Sequence, residues 1–513
     1  MDYDYIIVGA GSAGCVLAAR LSERADARVL LVEAGPASGP AHMGVPQAWP
    51  LLLGSEVDWA FTTVPQEHAG GQPHLWPRGK VLGGSSAINA MIFTRGDRAA
   101  FDEWAAAGAA GWSYDDLLPF FKRSERAEGR DPAYRGTDGP LRVAPVTGPH
   151  PFSQAVFDAL VAAGYPVAGD LSAPDAEGVG WHDANIVDGQ RQSVADAYLA
   201  PALNRPNLTV LTGAAVRRLI MQGTRCTGIE FDHDGQRQRA FAEAEVVLSA
   251  GTIGSAQLLL LSGIGPAAHL RSLGIDVVAD LPGVGENLHD HIEIPLIYSA
   301  AQPMPPTPGT HVDCLALLRS APGAPRPDIN IFPVDAPFPL PGLELPEHGY
   351  TIQATLALPH SRGTLRLVNA DPAQQPLIDP RYLADPRDLD TFVRAAAMAR
   401  AVGESAELAP WRQAEISPGP GTRDRESWAA YIRRAAVTEG HPVGTCRLGP
   451  GEQAVTDLQL RVRGTRGLRV ADASVIPSIP AININATVVA IAERAASLIA
   501  DTAAQPSASA TAS

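Results

Sequence analysis

The chain has 513 residues, enough for more than one hydrophobic core. Its 45% hydrophobic and 19% charged residues suit a globular enzyme, and a formal net charge of −15 argues against nucleic acid or anionic lipid as a partner. Cys15, Cys226, Cys314 and Cys446 are scattered with no C-x-x-C pair, so neither a disulfide framework nor a bound metal is expected.

The N-terminus carries no basic stretch followed by an apolar one, and no apolar run nears the roughly 20 residues of a membrane span. A cytoplasmic protein is therefore expected. Tyr5–Val8 reads as a buried strand, Ser12–Glu23 as a helix with Val16, Leu17 and Leu21 on one face, and Val29–Val32 as a second strand. A region dense in Pro, Gly and Trp follows from Pro36 to about Arg98. Helical patterns return at Phe101–Ala107 and Tyr114–Ser124. Leu208–Thr212, Ala215–Ile220, Thr227–Phe231 and Val246–Ala250 read as strands, and Gly251–Ser262 as a helix. From about 292 to 380 the segments are strand-like with no helices between them, as in Tyr350–Leu358 and Gly363–Val368, which predicts an antiparallel sheet. Leu389–Val402 reads as a helix, 467–475 as strand, and Thr487–Ala500 as the last helix. The Ala/Ser/Thr-rich tail at 503–513 is expected to be disordered.

Gly9-Ala-Gly11-Ser-Ala-Gly14 is a G-x-G-x-x-G that follows a strand and opens a helix, with Glu33 ending the next strand. Gly9 suits the tight turn, Gly11 a close pyrophosphate, and Gly14 close helix–strand packing. Free N–H groups at Ser12 and Ala13, on the helix N-terminus, suit the phosphates. The Glu33 carboxylate suits a ribose hydroxyl and would repel a 2′-phosphate. A second match, Gly263-Ile-Gly265-Pro-Ala-Ala268, follows a helix instead of a strand and reads as a turn. One dinucleotide is therefore expected.

Residues 78–96 form a second glycine cluster, in which Gly84 lets backbone lie close to a ligand and Asn89 can reach its polar edge. This segment resembles the first signature of the glucose–methanol–choline oxidoreductases, FAD enzymes that oxidise alcohols. The resemblance extends to Gly251–Gly265, with Ala256 where the family has Pro, to Gly283-Val-Gly-Glu-Asn-Leu-His-Asp-His291, to His441–Cys446, and to Asp472-Ala-Ser474 with Asn483-Ile-Asn485. It implies an α/β protein. A Rossmann-like FAD-binding domain (1–150, 205–295 and 436–502) would be interleaved with an α+β substrate domain on an antiparallel sheet (151–204 and 296–435). It also implies Val216, Asp472 and Ala473 as cofactor contacts, and oxygen or a quinone-like molecule as the electron acceptor for a small alcohol substrate.

By the same resemblance His441 is the base and Asn485 its partner. Loss of a hydride from an alcohol carbon requires loss of the hydroxyl proton, which a neutral imidazole can accept. An amide can orient the oxygen without competing for that proton. The last helix, starting near Thr487, would aim its positive end at negative charge on the reduced cofactor. Relatives that bind FAD covalently use a histidine where this chain has Trp76, so non-covalent FAD is expected, although His74 lies close by. In Thr438-Glu439-Gly440-His441 a glycine replaces the usual aromatic wall, which predicts a roomier pocket and weakens the case for choline, while Glu439 keeps a carboxylate that could pair with a cation. The expected reaction is oxidation of a primary alcohol to the aldehyde. The alternative is a hydroxynitrile lyase holding FAD structurally.

Overall fold

The computed structural model describes residues 2–307 and 309–504. Its first sheet has seven strands. Leu208–Leu211, Val29–Val32, Asp2–Val8 and Gln236–Leu248 run parallel in that order, and Leu468–Val470 pairs parallel with the last of them. Gln236–Leu248 is the hinge of this sheet. Residues 241–248 pair parallel with the N-terminal strand, while 236–241 pair antiparallel with Arg225–His233, which continues to Ala215–Gln222. The sequence pattern resolves only the apolar end of this strand, because the residues from Gln236 to Arg239 are polar and partly exposed.

The parallel strands end on one edge, where ligands of doubly wound sheets sit. The residues that follow them there are Gly9, Glu33, the turn 249–251 and Asp472. The helix Ser12–Leu21 starts at this edge, and the helix Asn485–Ala504 packs beside it.

The second sheet is antiparallel throughout, as the strand-rich segment predicts. Its order is Arg412–Ser417, Ile292–Ala300, Gly349–Leu356, Ile329–Val334, Cys314–Leu318 and Gly178–Trp181, with Val437–Thr438 pairing beside Ile292 and Glu293. The strands alternate in character. Ile292, Ile294, Ile352, Ala354 and Ile331 belong to the hydrophobic core on which the helix Pro386–Gly403 packs. The other face carries Glu293, Gln353, Thr355 and Asn330, all buried. Such an alternation normally marks a solvated face. Here the polar face is covered, and Glu293 and Gln353 line a cavity.

The last helix starts at Asn485, two residues before the expected position, and runs to Ala504. It therefore covers the first residues of the expected disordered tail; residues 505–513 lie outside the described ones. Gly263–Ala268, expected to be a turn after a helix, holds a turn at Gly263, a two-residue strand, Ile264–Gly265, and the start of the short helix Ala267–Ser272. Among the described residues no helix is long and apolar enough to cross a membrane.

Candidate active site

A continuous cavity of about 1090 Å³ runs from the edge of the parallel strands to the polar face of the antiparallel sheet. Gly9, Gly11, Ser12, Ala13, Glu33, Gly84, Asn89, Val216, Asp472, Ala473 and Asn485 all line it, as does His441. Gly14 does not line it, in keeping with its packing role: a Cβ there would lie 1.8 Å from the Gly9 carbonyl oxygen.

The chemistry of this wall fits FAD. The helix Ser12–Leu21 opens at Gly11 with no side-chain cap, so its first N–H groups remain for an anion. A Cβ on Gly11 would meet protein no closer than 3.9 Å, which leaves its face open to the cavity. Gly84 (φ +52°) lies against Gly11, and a Cβ there would fall 2.6 Å from the Gly11 Cα. Glu33 accepts the N–H groups of Ala10 and Gly35, each at 2.8 Å, so one carboxylate both shapes the glycine turn and faces the cavity. Asp472 instead spends its carboxylate on protein groups: Gly251 N–H (2.9 Å), Ser255 Oγ (2.5 Å), and the N–H (2.8 Å) and hydroxyl (2.5 Å) of Ser474. Only its position along the wall can contact a cofactor.

At the far end stands His441. Its main chain is fixed first. Segment 289–293 runs antiparallel to 437–443: Ile292 pairs with Thr438, Glu439 N–H donates to the His291 carbonyl at 3.0 Å, and His289 bridges to Val443. Asp290 then accepts His441 N–H and the Thr438 hydroxyl, both at 2.7 Å, and the Tyr382 hydroxyl. Trp76 donates its indole N–H to Tyr382 at 3.0 Å, so it braces this loop from behind. Neither Trp76 nor His74 lines the cavity.

The imidazole of His441 has a partner at each nitrogen. Nδ1 lies 3.1 Å from Nδ1 of His291, and Nε2 lies 3.2 Å from the side-chain amide of Asn483. The expected partner of the base, Asn485, lines the same cavity but makes a different hydrogen bond. Asn485 is the first residue of the last helix, and its Oδ1 accepts the Ser12 hydroxyl at 2.7 Å. That contact joins the N-termini of two helices at the cavity wall. Asn483, two residues earlier and outside the helix, reaches the histidine.

Burial, then the neighbouring His291 ring and the Arg78 guanidinium, hold His441 well below its usual pKa of 6.5, and burial pushes His291 down to about 3. Both rings are neutral at physiological pH. Carboxyl groups here move the other way. Burial and the Asp290 charge push Glu439 up to about 8, and burial and Glu439 push Glu293 well above its ordinary range. Burial also raises Asp290, to about 6, against the hydrogen bonds it accepts.

Gly440 has φ +84°, and a Cβ there would lie 2.9 Å from Nη2 of Arg78, which hydrogen-bonds to the Gly440 carbonyl at 2.5 Å. The guanidinium of Arg78 thus borders the place of the missing aromatic side chain. The expectation of a roomier pocket from Gly440 is narrowed accordingly.

Asp290, His291 and Asn483 belong to segments whose sequence resemblance is visible, but sequence alone does not say which side chain turns inward. Glu293 and Gln353 carry a signal only in the strand alternation.

A family model described as GMC oxidoreductase matches residues 3–293, and a second with the same description matches 359–492. The chain is 38% identical to mitochondrial choline dehydrogenase of Mus musculus over 97% of its own length and 89% of that protein's. It is also 38% identical to alcohol dehydrogenase (acceptor) of Pseudomonas putida, over 97% and 95%. A crystal structure of pyridoxine 4-oxidase from Mesorbium loti superposes with a TM-score of 0.93 at 36% identity, covering 96% of this chain and 98% of that one. The chain therefore belongs to the GMC oxidoreductase family and is an FAD-dependent oxidoreductase acting on alcohols.

Proposed function

We propose that the protein oxidises a neutral primary alcohol to the aldehyde, with His441 as the base and Asn483 as the group that orients the hydroxyl. FAD, held without a covalent bond, supplies the two-electron acceptor for the substrate's hydride. Oxygen or a quinone-like molecule would be the class of final electron acceptor. In this reading the segments around the parallel sheet bind the cofactor, and the antiparallel sheet supplies the substrate wall.

The observation that carries the proposal is the pair of contacts on His441. A ring proton on Nδ1, donated to Nδ1 of His291, leaves the Nε2 lone pair as an acceptor, which takes the Asn483 amide N–H until an alcohol hydroxyl displaces it. That lone pair lies beside the Asn483 amide at the cavity. It can take the hydroxyl proton, and the amide can hold the alcohol oxygen next to it. The depressed pKa of His441 keeps the ring unprotonated before the substrate arrives. The start of the last helix, at Asn485, lines the same cavity and favours negative charge there. Trp76 and His74, set back from the cavity, support a non-covalent cofactor.

Charge near the base does not require a cationic substrate. With their pKa values raised, Glu293 and Glu439 do not both ionise at neutral pH, so they form a weaker cation trap than two full charges. The test is His441→Ala, which is expected to lower kcat by at least about 100-fold with flavin content unchanged. Near-normal turnover would remove His441 from the reaction.

A further inference from the structure

Three potential ligand atoms meet behind the proposed base. Nδ1 of His291 and Nδ1 of His441 are 3.1 Å apart, and Oε2 of Glu439 lies 3.8 Å from each. A point equidistant from the three atoms is about 2.1 Å from each. Zinc bonds to imidazole nitrogen and carboxylate oxygen are about 2.0–2.2 Å long. The register of strands 289–293 and 437–443 sets this triangle, because it places His291 across from the Glu439–His441 stretch. Oε2 of Glu439 is buried and has no hydrogen-bond partner. An orphaned buried carboxyl oxygen beside two imidazole nitrogens is a donor set that a cation completes once the carboxyl proton and the shared ring proton are released.

We propose that His291, Glu439 and His441 form an inhibitory site for a divalent transition-metal ion of the zinc class. Two imidazoles and one carboxylate suit such an ion better than magnesium or calcium, which prefer oxygen ligands. The cavity, which Glu439 and His441 line, is the access route and leaves room for a water as fourth ligand. With the Asn483 amide turned over, its otherwise unpartnered Oδ1 would accept the Nε2 proton of the metal-bound ring and orient it from outside the site.

The effect on catalysis follows from the tautomer. A metal bond uses the Nδ1 lone pair of His441, so the single proton of the neutral ring must sit on Nε2. In that form Nε2 has no lone pair for an alcohol proton. The ion therefore blocks the base without entering the cofactor's part of the cavity. Metal binding rests only on the geometry of the three ligands; loss of turnover rests in addition on His441 acting at Nε2.

The experiment is titration of the flavin-loaded enzyme with zinc chloride at pH 7.5. It is followed by calorimetry and by turnover, and X-ray absorption is recorded on the zinc-loaded protein. One zinc per chain, an absorption spectrum showing two imidazoles, and turnover that falls with occupancy and returns with a chelator are expected. Glu439→Gln should weaken binding at least about tenfold, since even losses beyond the direct ligands typically do so. Equal zinc affinity in that variant, or fewer than two imidazoles in the wild-type spectrum, would overturn the site. Zinc bound there with turnover unchanged would instead overturn the role of Nε2, and the two failures are thus distinguishable.

Discussion

At the scale of single residues, the site depends on what each side chain has left to give after its structural contacts are met. His289 and His441 are both buried histidines. His289 uses both ring nitrogens on backbone, accepting Ile479 N–H at Nε2 (3.0 Å) and meeting the Asn287 carbonyl at Nδ1 (2.6 Å), so nothing remains for chemistry. His441 has an amide at the cavity instead. Asn483 and Asn485 divide in the same way, one to the histidine and one to the junction of two helices. Asn483→Ala is therefore expected to lower kcat by roughly tenfold or more while FAD remains bound, because it removes an orienting hydrogen bond. Steady-state kinetics with flavin quantitation checks this, and an unchanged kcat would return the role to Asn485. Glu439 makes a second prediction. Its folded pKa of about 8 lies above the ordinary 4.5, so the folded state binds the extra proton between those values. Its contribution to stability is complete below pH about 4.5 and is lost as pH rises through about 8. Thermal melts from pH 5 to 8.5 should show the wild type losing stability relative to Glu439→Gln. Parallel curves would contradict the assignment.

At the scale of elements, two close approaches of backbone build the cofactor wall. The 78–96 segment meets the first helix at Gly84 and Gly11, where a Cβ on Gly84 would fall 2.6 Å from a backbone carbon. Its φ of +52° adds strain of about 1 kcal/mol for any other residue. Gly84→Ala must push these segments apart, and the flavin content of the purified protein should fall by at least half. Full flavin content would show that the contact does not shape the cofactor site. The register of 289–293 against 437–443 does the corresponding work at the other end, by bringing Asp290, His291, Glu439 and His441 together across about 150 residues of chain. The first βαβ unit is local and strongly patterned, so its strands and helix read directly from the sequence. The fold of the second half depends on pairing between distant strands. There the antiparallel class is readable from pattern, but register is not.

At the scale of the whole molecule, one cavity connects two sheets of different type. The parallel edge supplies glycine turns and helix N-termini, which suit a dinucleotide; the antiparallel face supplies buried polar side chains, which suit a small substrate. Motif order along the chain makes the cofactor legible in the sequence itself, because each motif carries its own local geometry. The choice between Asn483 and Asn485 is not legible, since a helix start two residues earlier than the pattern suggests turns each side chain to a different wall. The buried polar face of the second sheet is hidden for a related reason: alternation alone does not reveal which face a distant segment will cover. The central claim is that these two ends cooperate in removing a hydride and a proton from an alcohol. Anaerobic mixing of the flavin-loaded protein with a panel of primary alcohols tests it most directly. Bleaching of the flavin by at least one alcohol, slowed at least about 100-fold in His441→Ala, is the predicted result. A flavin that stays oxidised with every alcohol, or that bleaches equally fast without His441, would contradict it.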